Sequence, residues 1–300
     1  ILRGPQGTLA GKNSIGGAVK LFSQKPKGDG SGYVSATYGS YNRIDLRAAF
    51  DIALAKDLAL RVSGYSKRSD GFVKRIDYNC ANPTKVLPTD TWKTQITTPG
   101  SCQVGTLGGV ASWGVRAALR FTPSDAFEVN ITGMLSRDTS EPPATEQTAT
   151  PDPRFADHAP YVYYGTYTTD KGWTVAPQNK TNFESITGKV DWKLSDQFSV
   201  TSITAYEHMY SDWVTTNGTP NGQNVVDYYA PYHQFTQELR LNGEVGDGLL
   251  NFTLGGYYFD SAGTSGARVY SSPIIDWINK DPVTNNSKSL FGHVELHPMQ

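Results

Sequence analysis

The chain has 300 residues and carries 27 Lys+Arg against 28 Asp+Glu, a net charge of -1. That balance argues against a nucleic-acid binder, which carries a basic excess, and no apolar run approaches the roughly 18 residues of a transmembrane helix. A membrane β-barrel stays open, because its strands of about 10 alternating residues are a far weaker signal, and the 38% hydrophobic content is low for a globular core while Tyr, Phe, Trp and Gly are plentiful.

The first element, ILRGPQGTLAGKNSIGGAVKLF at 1–22, is glycine-rich with a Gly11-Lys12 pair. It fails as a phosphate-binding loop: Gln6 stands where that pattern needs glycine and Asn13 where it needs Ser or Thr. No helix can follow, since Gly16 and Gly17 interrupt the run and a short strand is expected at 18–22. Arg3-Gly4-Pro5 and Gly7 read as a tight turn, with Gly11, Gly16 and Gly17 permitting positive φ or close backbone approach. A linker at 25–30 then leads into the next element.

From residue 31 the apolar period is two. Ile44, Leu46, Phe50 and Ile52 alternate with Arg43, Asp45 and Arg47; Trp113, Val115, Leu119 and Phe121 with Ser112, Arg116 and Arg120; Val190, Trp192 and Leu194 with Lys189, Asp191 and Lys193. Ten strands are expected, at 31–38, 43–53, 58–67, 111–121, 126–136, 183–194, 197–208, 235–245, 249–260 and 289–297. Several match the roughly 9–11 residues of a tilted strand crossing a bilayer. Short connections near 54–57, 122–125, 195–196 and 246–248 alternate with expected long loops at 68–110, 137–182, 209–234 and 261–288. In an up-and-down sheet every second connection lies on one side, so this is the short-turn, long-loop asymmetry of outer-membrane barrels. A soluble sandwich with one solvated charged face is the alternative. Cys80 and Cys102 lie in polar sequence; a disulfide, suited to an oxidising compartment, is expected, with unpaired thiols as the alternative.

Residues 1–26, ILRGPQGTLAGKNSIGGAVKLFSQKP, resemble the end of the plug domain of TonB-dependent outer-membrane receptors. GYVSATYGSYNR, HQFTQELRLNG at 233–243 and LGGYYFD at 254–260 resemble barrel strands of the same family, so the resemblance covers essentially the whole chain. Ala10 departs from the Tyr or Phe of many members. The resemblance implies an all-β fold, a transmembrane antiparallel barrel of about 22 strands closed by an N-terminal plug. About ten of those strands would be present here. Residues 1–28 would be the C-terminal segment of the plug and 29–300 the N-terminal part of the barrel. The chain begins in mid-motif and ends on what reads as a strand, so it is expected to be a fragment, with the TonB box and most of the plug before Ile1.

Activity implied by the resemblance is active uptake of a scarce ligand across the bacterial outer membrane, driven by the TonB–ExbB–ExbD energising complex. An iron–siderophore is the default cargo. An oligosaccharide or other organic nutrient is the alternative, and a passive porin a more distant one. Outer-membrane lipid and a small-molecule or metal-chelate ligand are expected partners, a surface lipoprotein is a further candidate, and no nucleic acid, cofactor or enzymatic activity is expected. Arg3 of the RGP motif would pair with a barrel-wall glutamate, and alternation makes Glu238 the best partner, with local capping of Arg3 and a Glu238–Arg240 pair as the alternative. Gly4, Pro5, Gly7, Gly11, Gly16 and Gly17 would serve plug packing. In YVYYGTYTTDKGW, Tyr161, Tyr163, Tyr164, Tyr167 and Trp173 are candidates for stacking on a ligand, against self-packing of the loop. His158, His208, His233, His293 and His297 show no metal-ligand spacing; on a strand, His293 and His297 would stand about 13 Å apart.

Overall fold

The computed structural model describes residues 2–3, 17–18, 23–86, 90, 99–143, 154, 160–246, 248–272 and 274–297. β1 (Leu2–Arg3) pairs antiparallel with β2 (Gly17–Ala18), Arg3 opposite Gly17. The remainder is built on β3 (Gly32–Gly39), β4 (Arg43–Ala55) and β5 (Leu58–Ser69), followed by β6 (Val73–Ile76), the single-turn helix α1 (Tyr78–Ala81) and β7 (Gln103–Leu107). Next come β8 (Val110–Ser124), β9 (Phe127–Asp138) and the short β10 (Val162–Tyr163). The last five are β11 (Lys180–Lys193), β12 (Phe198–Thr216), β13 (Asn224–Val245), β14 (Leu250–Ser271) and β15 (Ile275–Leu296).

Ten of these form one sheet in the order β15-β14-β13-β12-β11-β9-β8-β5-β4-β3. Every neighbouring pair is antiparallel, so the sheet is an up-and-down meander, as the period-two pattern predicts. Two faces follow from the pleat, because residues opposite one another share a face. One carries Ile44, Leu46, Phe50 and Ile52, continuing through Trp113, Val115, Ile131, Leu135, Ile186, Leu239 and Leu254, all exposed. Its other side carries Asp45, Asp51, Arg61, Arg120, Glu128, Lys189, Asp191, Glu238 and Arg240. An apolar outer face and a charged inner one is the reverse of a water-soluble sheet with a dry core. It is what a barrel wall between lipid and a wet interior requires.

The short connections at 56–57, 125–126, 194–197 and 246–249 lie at one end of the sheet. At the other end, two expected loops are corrected. Residues 209–234 and 261–288 are mostly strand: β12 runs 19 residues, β13 to β15 each 22, and only 217–223 and 272–274 connect them. At about 3.3 Å per residue these strands are far longer than the roughly 10 residues a bilayer requires. The excess stands above the apolar band. Pro231 lies inside β13, and the β13–β14 register lapses at Ala230 and Pro231 and resumes at Tyr232, as expected where an N–H is missing from the ladder.

The two loops that remain long fold over the strand tops. β6 pairs with β7 and, in parallel, with β10, so segments 70–109 and 139–179 share one small sheet. Asp77 caps α1 by accepting from the Cys80 amide at 2.8 Å, and a disulfide joins Cys80 to Cys102. Val73, Leu107, Tyr163 and Tyr167 make a core with Val214 and Val225 from the strand tops, against which Trp173 and Val175 pack. Thr216, Val225 and Tyr270 lie opposite one another in the register. They stand on the face that lower down carries Leu239 and Leu254. The apolar face therefore changes cover along the strands: bare below, roofed by loop above.

Candidate functional site

The inner face is closed near its lower end by the linker at 25–30. Asp51, from the middle of β4, is 1% exposed and accepts from the Lys27 amide at 2.9 Å and the Gly28 amide at 2.6 Å. Arg61, opposite it on β5, donates to the same carboxylate at 3.3 Å. One strand pair further, Arg120 donates to Glu128 from two nitrogens, at 2.7 and 3.0 Å, and from a third to the Pro26 carbonyl at 3.4 Å. The Lys25 ammonium completes this set by pairing with Glu128. Buried carboxylates that accept several donors hold strongly, and removing one partner leaves the others uncompensated. Gly28 fits because its φ is +68° and an added Cβ would lie 3.3 Å from Ala53 Cα and from the Ala53 and Ala59 methyls. The chain is thus bound to three strands, β4, β8 and β9, just where it enters the sheet.

Across the sheet from Glu128, the inner face continues as a polar wall. Lys189 pairs with Asp191 at 2.8 Å, Gln234 donates to Glu207 at 2.6 Å, and Glu238 binds Arg240. Glu238 was expected to meet Arg3. The structure gives its local partner, while the expected Arg3–Glu238 contact, like Gly4, Pro5, Gly7, Gly11 and Gly16, lies outside the described residues, and of Gly17 only the backbone pairing is described.

The tyrosine-rich loop divides. Tyr163 and Tyr167 are 5% and 4% exposed, inside the loop core. The Tyr163 hydroxyl bonds Thr216 Oγ1 at 2.9 Å, and the buried Arg75 guanidinium lies 4.8 Å from the Tyr167 ring centroid. Burial pushes both phenols up and the Arg75 guanidinium down. Trp173 carries the Arg268 guanidinium over its ring at 4.1 Å, and Tyr164 meets Tyr78 edge-on at 5.3 Å. Tyr161 alone of the five is largely exposed, with a φ of +62°. Asp170 fastens this loop to the end of β14 by accepting from Tyr270 and, at 2.7 Å, from Ser272 just beyond it. Packing, not display, is the visible work of Tyr163 and Tyr167.

Alternation in the sequence places Arg120 on the polar face, but nothing in it singles out Asp51. Its two main donors are backbone amides of the linker, which leave no trace in residue type. Among the described residues, no group of three or more His, Cys, Asp or Glu side chains is arranged to hold a metal ion, and no helix is long and apolar enough to cross a membrane.

No protein-family model matches the chain. Solved structures do. The ferric yersiniabactin uptake receptor FyuA from Yersinia pestis is 16% identical with a TM-score of 0.63, over 97% of this chain and 47% of that one. The siderophore receptor PiuA from Acinetobacter baumannii is 15% identical at a TM-score of 0.62, over 98% and 44%. The Ferric-Catecholate import receptor Fiu from E. coli K12, in its closed form, is 12% identical at 0.66, over 98% and 42%. The chain therefore shares their fold along nearly all of its length and spans less than half of each.

Proposed function

We propose that the chain is the end of the plug and the first ten barrel strands of a TonB-dependent outer-membrane receptor, which takes up a scarce ligand across the bacterial outer membrane. The observation that carries this reading is the linker fixed to the inner face. A glycine-rich segment leads directly into residues 25–30, which are bound through Asp51 and Glu128 to the charged side of an apolar-faced sheet. A passive pore has no use for a covalently attached segment held inside its wall. Energy from the TonB–ExbB–ExbD complex would act on the plug, and the inner-face contacts would keep the plug's exit attached while the rest is disturbed.

Iron–siderophore is the cargo this reading favours. Supporting it, the three receptors compared above are each named for a siderophore or a ferric ligand. An oligosaccharide or another organic nutrient is the second reading, favoured by the exposed Tyr161 at the loop surface, which could stack on a sugar. The test uses the full-length protein in cells. Uptake of labelled ferric siderophores is measured with and without TonB, under iron starvation. TonB-dependent uptake is expected; uptake that persists without TonB would sink the energised-receptor reading. Growth rescued only by a glycan, with no siderophore taken up, would move the cargo to the second class.

A further inference from the structure

Four of the inner-face cations are ion-paired: Arg61 with Asp51, Arg120 with Glu128, Lys189 with Asp191, Arg240 with Glu238. At the top of the outer apolar face Arg268 is paired with Asp276, while two other arginines carry no ion pair among the described residues. Arg68 lies opposite Ile44 and so continues the outward column of Ile44 and Leu46. Arg137 lies opposite Trp113, and Trp113 opposite Ser66, two residues from Arg68. Trp113 thus stands between two outward arginine positions, one directly opposite and one diagonal, at the cross-strand spacing of about 5–8 Å between Cβ atoms. Arg68 and Arg137 are exposed, and among the described residues neither forms an ion pair; Arg137 donates only to the neutral Asn182 carbonyl, at 3.0 Å.

Beside Arg68 opens a cleft of about 640 Å³ between the tip of the β3–β4 hairpin and the loop layer. Tyr41, Phe72 and a further cation, Lys74, line it. Its two carboxylates keep their charge but accept from neutral donors within the protein. Asp70 accepts from Asn42 at 2.5 Å, and Glu141 from Thr106 Oγ1 at 2.5 Å and the Gly109 amide at 2.8 Å. Unpaired cations above a bare apolar wall match one ligand chemistry, an anionic group joined to hydrocarbon chains. We infer that Arg68, Arg137 and the adjoining cleft bind the phosphorylated headgroup of a membrane lipid. The phosphate takes charge-assisted bonds from the two guanidinium groups, the headgroup enters the cleft beside Tyr41 and Lys74, and the chains lie along Leu46, Trp113 and Leu135. Trp113 marks the water–hydrocarbon boundary, where an indole is most stable.

This rests on the membrane reading, and the two fail separately. A full-length protein that stays in aqueous solution without detergent refutes the membrane reading itself. Given a detergent-extracted protein, native mass spectrometry counts bound lipopolysaccharide after add-back, using preparations with and without the lipid A phosphates. The wild type is expected to retain the phosphorylated form at least about fivefold better, and Arg68→Gln with Arg137→Gln to weaken it by about fivefold for each arginine removed. Lys189→Gln, which removes an inward charge, is expected to change nothing. Equal retention of both lipid forms by the wild type overturns the inference, and so does an unaltered double variant. Full displacement by millimolar inorganic phosphate alone would assign the site to a free anion and overturn the lipid assignment.

Discussion

At the scale of single residues, the molecule is decided by carboxylates whose surroundings differ. Asp51 sits among donors: two amides and a guanidinium in a site 1% exposed. Asp51→Ala leaves Arg61 and two N–H groups without an acceptor, a loss expected to cost about 3–5 kcal/mol. The check is hydrogen exchange over 25–30, which should quicken strongly while the loop layer stays protected. Gly28→Ala, at φ +68° and with 3.3 Å contacts, is expected to cost about 1–3 kcal/mol and to loosen the same segment. Asp227, high on β13, is the opposite case. Burial and the Asp212 carboxylate push it up to about 6, against the pull of Arg268. The folded chain therefore holds a proton that the unfolded one releases near the ordinary value of 3.8. Stability contributed by this group is present at low pH and is lost as pH rises toward 6. Protease resistance of the strand tops should fall between pH 4 and pH 6–7, a dependence that Asp227→Asn should flatten; an unchanged slope in that variant would place the effect elsewhere.

Elements show where sequence is legible. Strands β3 to β5, β8 and β9 could be read because each runs between lipid and a polar interior, a boundary that enforces strict alternation. Above the bilayer that demand ends. Asp227, Tyr228, Tyr229 and Pro231 follow one another in β13 without alternating, since one face there is wet and the other is covered by loop, and so the upper halves of β12 to β15 looked like loops. The inner-face charges were legible for the same reason as the strands, and Asp51's role was hidden because its partners are main-chain groups. Tyr163 and Tyr167 show a further limit: a cluster of tyrosines looks alike whether it packs a small core or awaits a ligand. The Cys80–Cys102 bridge spans 22 residues of that layer, and losing such a bridge costs about 2–4 kcal/mol. Cys80→Ser with Cys102→Ser is expected to admit protease between 70 and 109 while the sheet keeps its resistance to heat in detergent. Loss of both together would mean the layer and the sheet form one cooperative unit.

For the whole molecule, the two outermost strands matter. β3 and β15 each have a neighbour on one side only, and β15 is exposed nearly throughout. An open edge cannot stand in hydrocarbon, because its N–H and C=O groups find no partner there. Under the proposed reading, residues 1–300 refolded alone in detergent should aggregate through these edges. The same residues within the complete barrel should migrate as a compact, heat-sensitive species in electrophoresis; a stable monomer from residues 1–300 would show that this half closes by itself.

The linker contacts also have a direction. A pull arriving from residues 1–22 reaches Lys25 and Pro26 on Glu128 and Arg120 first, and Lys27 and Gly28 on Asp51 only afterwards. Bonds loaded one after another yield at lower tension than bonds loaded together. Under the proposed reading the linker would therefore yield from its plug-side end first, at Glu128 and Arg120, while the deeply buried Asp51 holds as the last point of attachment.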